Sequence, residues 1–327
     1  MLTAVLSLTG ALVYGTADFL GGLAAKRLSP ILVTAVAALS GLVALLAAYP
    51  LLGGAWHPDD MAWGIISGVI GAVAIALLYA CLAIGPMSIL SPLTALVSAI
   101  VPMAWGLVVG AERLAAVGYW ALGLALVAVV LVGFVPERGA VRPSLRGILM
   151  AVGSGTAIGA FYITISQTSD ESGVVPLLLN RTVSAAIMFA VLGVLAIVAR
   201  ARHRRPAAVV GEWMPRAAAP STVGALSASP GASPPTARTT ALAPPAPSDL
   251  AIGIRLAIAC GIVDVAANVL LLLGIRAGAL SVAAVLGAMY PAGTILLAAI
   301  VLRERIAPVQ WAGLVLALAA AGMLALA

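Results

Sequence analysis

Ten long apolar segments constrain the fold of this chain more than any other feature of its sequence. A helix needs about 20 apolar residues to cross the hydrocarbon core of a membrane. Because a membrane offers no water to peptide groups, each such segment must satisfy its own hydrogen bonds as a helix. The sequence therefore predicts an all-α integral membrane protein with ten transmembrane helices, at residues 4–25, 31–53, 61–85, 88–110, 115–136, 145–167, 174–199, 250–275, 280–302 and 308–327.

The composition excludes most classes of soluble protein. Hydrophobic residues make up 63% of the 327 residues and charged residues only 9%, whereas a typical soluble domain is about 25% charged. A chain with so few charges cannot be a cytosolic enzyme, a nucleic-acid-binding domain or a disordered protein. Two histidines, His57 and His203, lie in polar connections, and Cys81 and Cys260 have no zinc-site spacing. We therefore expect no metal site and no cofactor.

One segment differs from the rest of the chain. Residues 203–248 hold nine of the twenty prolines, together with many alanines, serines and threonines. This composition without apolar periodicity predicts a disordered linker. The basic cluster from Arg200 to Arg205 precedes it and serves either as an orientation signal or as a contact for anionic lipid headgroups.

An internal repeat is visible around two Glu-Arg pairs. A segment that begins Gly85-Pro-Met-Ser88 reaches Glu112-Arg113, and a segment that begins Gly278-Ala-Leu-Ser281 reaches Glu304-Arg305. The spacing predicts two five-helix repeats, at residues 1–139 and 145–327, with the linker interrupting the second. Five spans per repeat force the two repeats into opposite orientations, an arrangement in which substrate binds between the halves near the midplane.

The basic residues predict the orientation of the chain. Of the 17 lysines and arginines, 14 lie at the connections after helices 1, 5, 7 and 9. By the positive-inside rule, these connections face the cytoplasm. We therefore expect a multi-pass protein of the cell (inner) membrane, with the linker 203–248 in the cytoplasm and both termini on the other side.

Several motifs resemble the EamA-domain transporters of the drug/metabolite transporter superfamily. The resemblance covers the chain apart from the linker, and it implies a transporter that exports amino acids, metabolites or drugs. It also implies cytoplasmic termini, which differs from the orientation that the basic residues predict, so both topologies stay open. The motifs that carry it are Tyr14-Gly-Thr-Ala-Asp18-Phe19, Asp264-Val-Ala-Ala-Asn268, Gly278-Ala-Leu-Ser281, Met289-Tyr290-Pro291, Arg303-Glu304-Arg305 and Gln310-Trp311-Ala-Gly313.

Two acids lie well inside apolar spans, Asp18 in the first and Asp264 in the eighth. A charged side chain at the bilayer centre costs about 2.5–3.5 kcal/mol on insertion scales, so such residues usually face a cavity or a partner. Either acid could bind and release a proton or contact substrate; alternatively, each is a protonated carboxyl bonded to a neighbouring helix. Asn268 shares a helix face with Asp264. The two residues either form part of a substrate site or hold neighbouring helices together by a hydrogen bond.

Other candidates for substrate or ion binding are Asn180, Arg181 and Tyr290. Arg181 could hold an anionic group, pair with Asp18 or Asp264, or extend to the membrane interface. Tyr14, Tyr79 and Tyr162 are expected either to line a cavity or to anchor the helices at the interface. Proline kinks a helix and frees a carbonyl, so gating hinges are expected at Pro102 and Pro291.

These features favour a secondary transporter that moves a small organic molecule by alternating access, with protons as a possible coupling ion. The chain has no phosphate-binding loop for ATP. An intramembrane enzyme is disfavoured, because no histidine in the bundle could activate Ser154, the nearest candidate nucleophile. The alternative is a channel or a non-transporting membrane scaffold. The expected partners are the substrate, the lipid bilayer and protons, and no nucleic acid.

Overall fold

A computed structural model describes residues 1–84, 87–133, 143–201, 247–303 and 305–326 of the chain. Ten of its helical segments are long and apolar enough to cross a membrane, which confirms the predicted all-α architecture. The helices are α1 (Leu2–Ala25), α2 (Pro30–Leu52), α3 (Pro58–Ile84), α4 (Met87–Val108), α5 (Ala116–Gly133), α6 (Leu145–Ser166), α7 (Val175–Ala201), α8 (Pro247–Arg276), α9 (Leu280–Gly287), α10 (Tyr290–Val301) and α11 (Pro308–Leu326).

Helix starts follow local capping chemistry. The Ser29 hydroxyl accepts a hydrogen bond from Leu32 N at 3.4 Å, and the Ser144 hydroxyl accepts one from Gly147 N at 3.1 Å. These side chains satisfy backbone donors that have no partner inside the helix. The polar residues before these spans therefore mark the helix starts, and α2 and α6 begin within one residue of the predicted positions.

The ninth predicted span is confirmed as Leu280–Val301, but it consists of two helical segments rather than the continuous helix expected over 280–302. The first part ends at Gly287 and the second begins at Tyr290, with Pro291 in its first turn. Proline is tolerated there because the first peptide N–H groups of a helix have no intrahelical acceptor. Pro291 thus lies at a helix start within the ninth span, and its role as a gating hinge stays a prediction. Pro102 does lie inside α4, as predicted.

Helices of the first five spans pack mainly against helices of the last five. Helix α1 packs against α8, and α6 packs against α3; α2 also packs against α8, and α7 against α3. The two contacts in each pair correspond, because adding five to the span number of α1 or α2 gives α6 or α7, and subtracting five from that of α8 gives α3. This is the packing that two inverted five-helix repeats produce.

Hydrogen bonds between helices follow the same correspondence. The Ser40 hydroxyl of α2 donates to Ile258 O of α8 at 3.2 Å, and the Ser184 hydroxyl of α7 donates to Gly68 O of α3 at 3.2 Å. A hydroxyl bonded to a carbonyl of a neighbouring helix is a common contact in membrane bundles. The internal repeat is therefore expressed in side-chain contacts as well as in sequence.

Glycines let two pairs of helices, α1 with α10 and α2 with α8, cross at close distance. A Cβ atom added at Gly15 of α1 would lie 2.6 Å from the Gly293 Cα of α10, and one added at Gly41 of α2 would lie 2.9 Å from Gly261 O of α8. Helix association in membranes relies on such close approach, since lipid is as apolar as leucine. Thr294 adds a hydrogen bond from its hydroxyl to Gly15 O at 3.1 Å.

Some sequence-based predictions lie outside the described residues. The linker predicted at 203–248 is one of them, except that α8 already begins at Pro247. The repeat motifs at Gly85-Pro86 and Glu304 are also outside. Their roles therefore stay predictions.

Candidate functional site

Asp264 and Arg181 form an ion pair between α8 and α7. A terminal guanidinium nitrogen of Arg181 contacts Asp264 Oδ2, and the two side chains are 16% and 26% exposed. Arg181 Nε is buried and has no hydrogen-bond partner among the residues that the structure describes. Of the alternatives that the sequence left open for Arg181, the structure has the pairing with Asp264. The pair carries no net charge.

Asn268 supports Asp264 from the next turn of α8. Its side-chain nitrogen donates to the backbone carbonyl of Asp264 at 2.8 Å and lies 3.4 Å from Asp264 Oδ2. The side chain is buried. The two side chains that were predicted to share a face of α8 are thus in contact, and Asp264 Oδ2 lies between the Asn268 amide and the Arg181 guanidinium group.

Asp18 lies in a different environment from Asp264. Its side chain is exposed, yet it interacts electrostatically with Asp264 of α8, Tyr162 of α6 and Tyr290 of α10. Groups from three other helices face it, so its exposed surface points into the bundle rather than toward lipid. Within the part of the chain that the structure describes, the Asp18 carboxylate has no hydrogen-bond or ion-pair partner.

Three tyrosines surround the two acids. Tyr14 precedes Asp18 by one turn of α1, Tyr162 is buried on α6, and Tyr290 begins α10 directly after the break in the ninth span. Tyr162 Oη would lie 3.6 Å from a Cβ atom added at Gly287, the last residue before the break. Tyr290 and Tyr162 therefore both lie beside the break in the ninth span. The sequence did not separate Tyr14 and Tyr162 from interfacial tyrosines, because nothing local marks their side chains as facing inward.

Two predicted site residues lie elsewhere. The Asn180 side chain is buried between α3 and α7, where it donates to the Ser67 hydroxyl at 3.0 Å. Pro102 packs against Gly159 of α6, with its Cδ 2.9 Å from the position of an added Cβ atom. In the described part of the chain, neither side chain has a hydrogen bond to Arg181 or Asp264. In the described ranges, no three side chains of metal-binding type come together.

Glu112 has a contact that the sequence did not indicate. Its two carboxylate oxygens accept hydrogen bonds from the backbone N–H groups of Leu280 (2.6 Å) and Ser281 (3.1 Å), at the start of α9. The sequence favoured a local role beside Arg113. The available signal was the repeat itself, since the motif of one repeat ends at Glu112 and the motif of the other begins at Gly278.

Comparison with known proteins agrees with this architecture. Residues 206–326 match the model of a family described as the EamA-like transporter family. The match covers 121 of the 327 residues, so it shows what the second half of the chain is similar to. The prediction from sequence motifs is confirmed, and the match lies within the second repeat. Together with the ten helices that are long and apolar enough to cross a membrane, the match supports a multi-pass membrane protein that is similar to a family of transporters.

The chain is also similar to a solved structure described only as "Crystal structure of protein". The similarity covers 99% of this chain and 96% of the other, with a TM-score of 0.67 and 14% sequence identity. At this identity the likeness shows the fold alone. No match is found among curated proteins.

Proposed function

We propose that this EamA-like protein is a secondary transporter that exports a small organic molecule by alternating access between the halves at 1–139 and 145–327. The observation that carries the proposal is the difference between its two intramembrane acids. Asp264 is neutralised by Arg181, whereas Asp18 is exposed toward the interior and unpaired in the described part of the chain. One acid in the bundle is therefore free to exchange ligands.

Asp18 is proposed to be the residue that couples transport to protons. A carboxylate without a partner at membrane depth is costly, and either a proton or a cation relieves that cost. If the two compete for one carboxylate, loading of one releases the other. The titratable and charged groups that face Asp18 are Tyr14 on its own helix, Tyr162 of α6, Tyr290 of α10, and Asp264 and Cys260 of α8 with Arg181 of α7 beyond them.

The proposed substrate carries a protonated amine. The carboxylate of Asp18 would bind the ammonium group, and the nearby aromatic rings would add cation–π attraction, which is worth about 0.5–2 kcal/mol per contact. The neutral Arg181–Asp264 pair, held by Asn268, would complete one wall of the site. A substrate with a hydroxyl or carbonyl group could also bond to this wall.

The orientation follows the basic residues. The proposed position of the linker 203–248 is the cytoplasm of the inner membrane, because 14 of the 17 basic residues lie on that side. An epitope inserted into the linker and tested for accessibility in intact cells would check this. Accessibility from outside would reverse the orientation and the proposed direction of export.

The experiment compares Asp18→Asn with Asp264→Asn in proteoliposomes. A thermal-shift screen of the purified protein against amino acids, nucleosides, sugars and cationic drugs first supplies a probe. Asp18→Asn should keep the melting temperature of the wild type and lose the dependence of probe flux on the pH gradient. Asp264→Asn should lower the melting temperature, because it leaves Arg181 unpaired. Asp59→Asn, an exposed acid at the start of α3, is the matched control.

Two results would contradict the proposal. If Asp18→Asn transports the probe at the wild-type rate with unchanged pH dependence, Asp18 does not couple protons to transport. If unlabelled probe on one side fails to drive exchange of labelled probe from the other, the protein is a channel or a scaffold rather than a carrier. A screen in which only uncharged compounds bind would overturn the substrate class.

A further inference from the structure

Four connections meet on the face of the bundle opposite the linker. They join α2 to α3 (residues 53–57), α4 to α5 (109–115), α6 to α7 (167–174) and α8 to α9 (277–279). The first two belong to the first half of the chain and the last two to the second half. Hydrogen bonds of these connections and of the adjoining helix ends link all four.

Arg276 unites the two connections of the second half. At the end of α8, its guanidinium group donates to Gly173 O at 2.8 Å, to Ser169 O at 2.7 Å and to the Ser172 hydroxyl at 3.0 Å. The planar guanidinium presents several donors in a fixed geometry, so one side chain can hold a whole turn of backbone. The end of α8 and the α6–α7 connection therefore form one unit.

Asp60 joins this unit to the first half at one point. Its carboxylate accepts hydrogen bonds from Ser169 N at 2.8 Å and from the Ser169 hydroxyl at 2.6 Å. Beside it, Ala55 N donates to Glu171 O at 2.8 Å. Asp60 is only 5% exposed, whereas its partner Ser169 is exposed, so the contact is partly buried.

The backbones of the same two connections also touch. Gly53 and Gly173 have φ angles of 67° and 50°, and the Gly53 carbonyl occupies the place of a Cβ atom at Gly173. Only glycine combines this backbone conformation with this close an approach. The two halves are therefore in direct backbone contact beside Asp60.

Glu112 joins the halves at a second point. Its carboxylate binds the two N–H groups at the start of α9, as described above, and thus links the α4–α5 connection to the second half. A cavity of about 190 Å³ lies beside it, lined in part by Trp105, Gln167 and Gly278. The Asp60 and Glu112 contacts thus share the same chemistry, a carboxylate of the first half that accepts two hydrogen bonds from the second.

We infer that Asp60 and Glu112 are two gate residues that hold the face opposite the linker closed, and that Arg276 keeps the second-half side of this gate rigid. The inference rests on the alternating access proposed above, which requires the halves to separate on this face once in every cycle. Helix α9 leads directly to the break before Tyr290, so release of Glu112 would free the helix that carries one wall of the site. Asp60 and Glu112 are positioning residues that do not touch substrate.

Accessibility of a native cysteine tests the gate without any substrate. Cys260 lies one turn before Asp264 on α8 and is partly exposed. A membrane-impermeant maleimide is added to one face of proteoliposomes that carry the Cys81→Ala protein, and an epitope in the linker reports the orientation. From the face opposite the linker, labelling should be slow and should rise by about threefold in Asp60→Asn or Glu112→Gln and by about tenfold in the double variant, as the open population grows.

Asp59→Asn, on the same face next to Asp60, is the matched control and should label at the parental rate. The gate is refuted if the double variant also labels at the parental rate from this face, whatever its melting temperature. This outcome leaves the transporter proposal intact, since labelling requires no transport. If the carboxamide variants do not fold, a cysteine pair at Asp60 and Ser169 replaces them. Oxidation of that pair should stop probe flux until a reductant is added, and undiminished flux in the oxidised protein would equally refute the gate.

Discussion

Replacement of Arg181 by glutamine would leave the Asp264 carboxylate inside the bundle without its cationic partner. Among the described residues, Asn268 would be the one remaining group that bonds to it, through a contact of 3.4 Å. Asp264 would also face Asp18 with no positive charge to offset the repulsion. We therefore expect Arg181→Gln to be the least stable variant of this ion pair.

The size of the effect follows from the burial of the pair. Loss of one partner from a buried ion pair costs about 3–5 kcal/mol. The side chains are 16% and 26% exposed, so some water reaches them, and we expect losses at or just below the lower end: about 3 kcal/mol for Arg181→Gln and about 2 kcal/mol for Asp264→Asn. The double variant leaves no unpaired charge and should lose no more than about 2 kcal/mol. The resulting coupling energy is at least about 3 kcal/mol, at the upper end of values for residues in contact.

Thermal unfolding of the four purified proteins measures this cycle. In a chain of this size, 1 kcal/mol corresponds to roughly 2 °C in Tm, so Arg181→Gln should melt roughly 6 °C below the wild type. Arg181→Lys keeps the charge and should recover part of the loss. The reasoning is refuted if the double variant loses as much stability as the two single variants combined, because the pair would then contribute no coupling.

Three further predictions concern parts of the bundle away from the ion pair. Gly15→Ala should destabilise the protein by about 1–3 kcal/mol and slow transport, because the new methyl group would meet the backbone of α10. Gly22→Ala on the same helix has open space around it and should leave the melting temperature unchanged; equal effects at the two glycines would contradict the close crossing. Asn180→Ala should cost about 1 kcal/mol through its lost bond to Ser67 without changing the apparent affinity for the probe, and a shift in affinity would return Asn180 to the substrate site. Deletion of residues 206–246 should leave insertion and flux largely intact, as measured by membrane yield and probe exchange, and a loss of folding would show that this segment is more than a tether.

The sequence was sufficient to predict where the helices lie in the chain but not which helices pack against one another. Apolar length and polar punctuation predict helix ends to within three residues for most spans, because both act locally. The break after Gly287 was missed, since Pro291 is equally compatible with a kink and with a helix start. Only the tertiary structure distinguishes the two.

The candidate site was predictable as a set of polar residues and not as a set of contacts. Asp18 and Asp264 stand out because charge is rare in membrane spans. Which of them binds Arg181 depends on how α7 lies against α8, and no local pattern encodes that. Glu112 was assigned to its own helix end for the same reason, although its partners are 168 and 169 residues away along the chain.

The packing of α1 and α2 against α8 has a consequence for how the protein is made. During synthesis these helices enter the bilayer long before the ribosome has produced their main partner. Each must persist as an independent span in lipid, and α1 does so while it carries the unpaired carboxylate of Asp18. A chain that stops before α8 would expose this acid and the bare glycine surfaces to the membrane, where quality-control proteases can act on it. Completion of the bundle is thus a late and cooperative event, and substitutions in α8 should reduce the amount of mature protein more than equally conservative ones in α5 or α11.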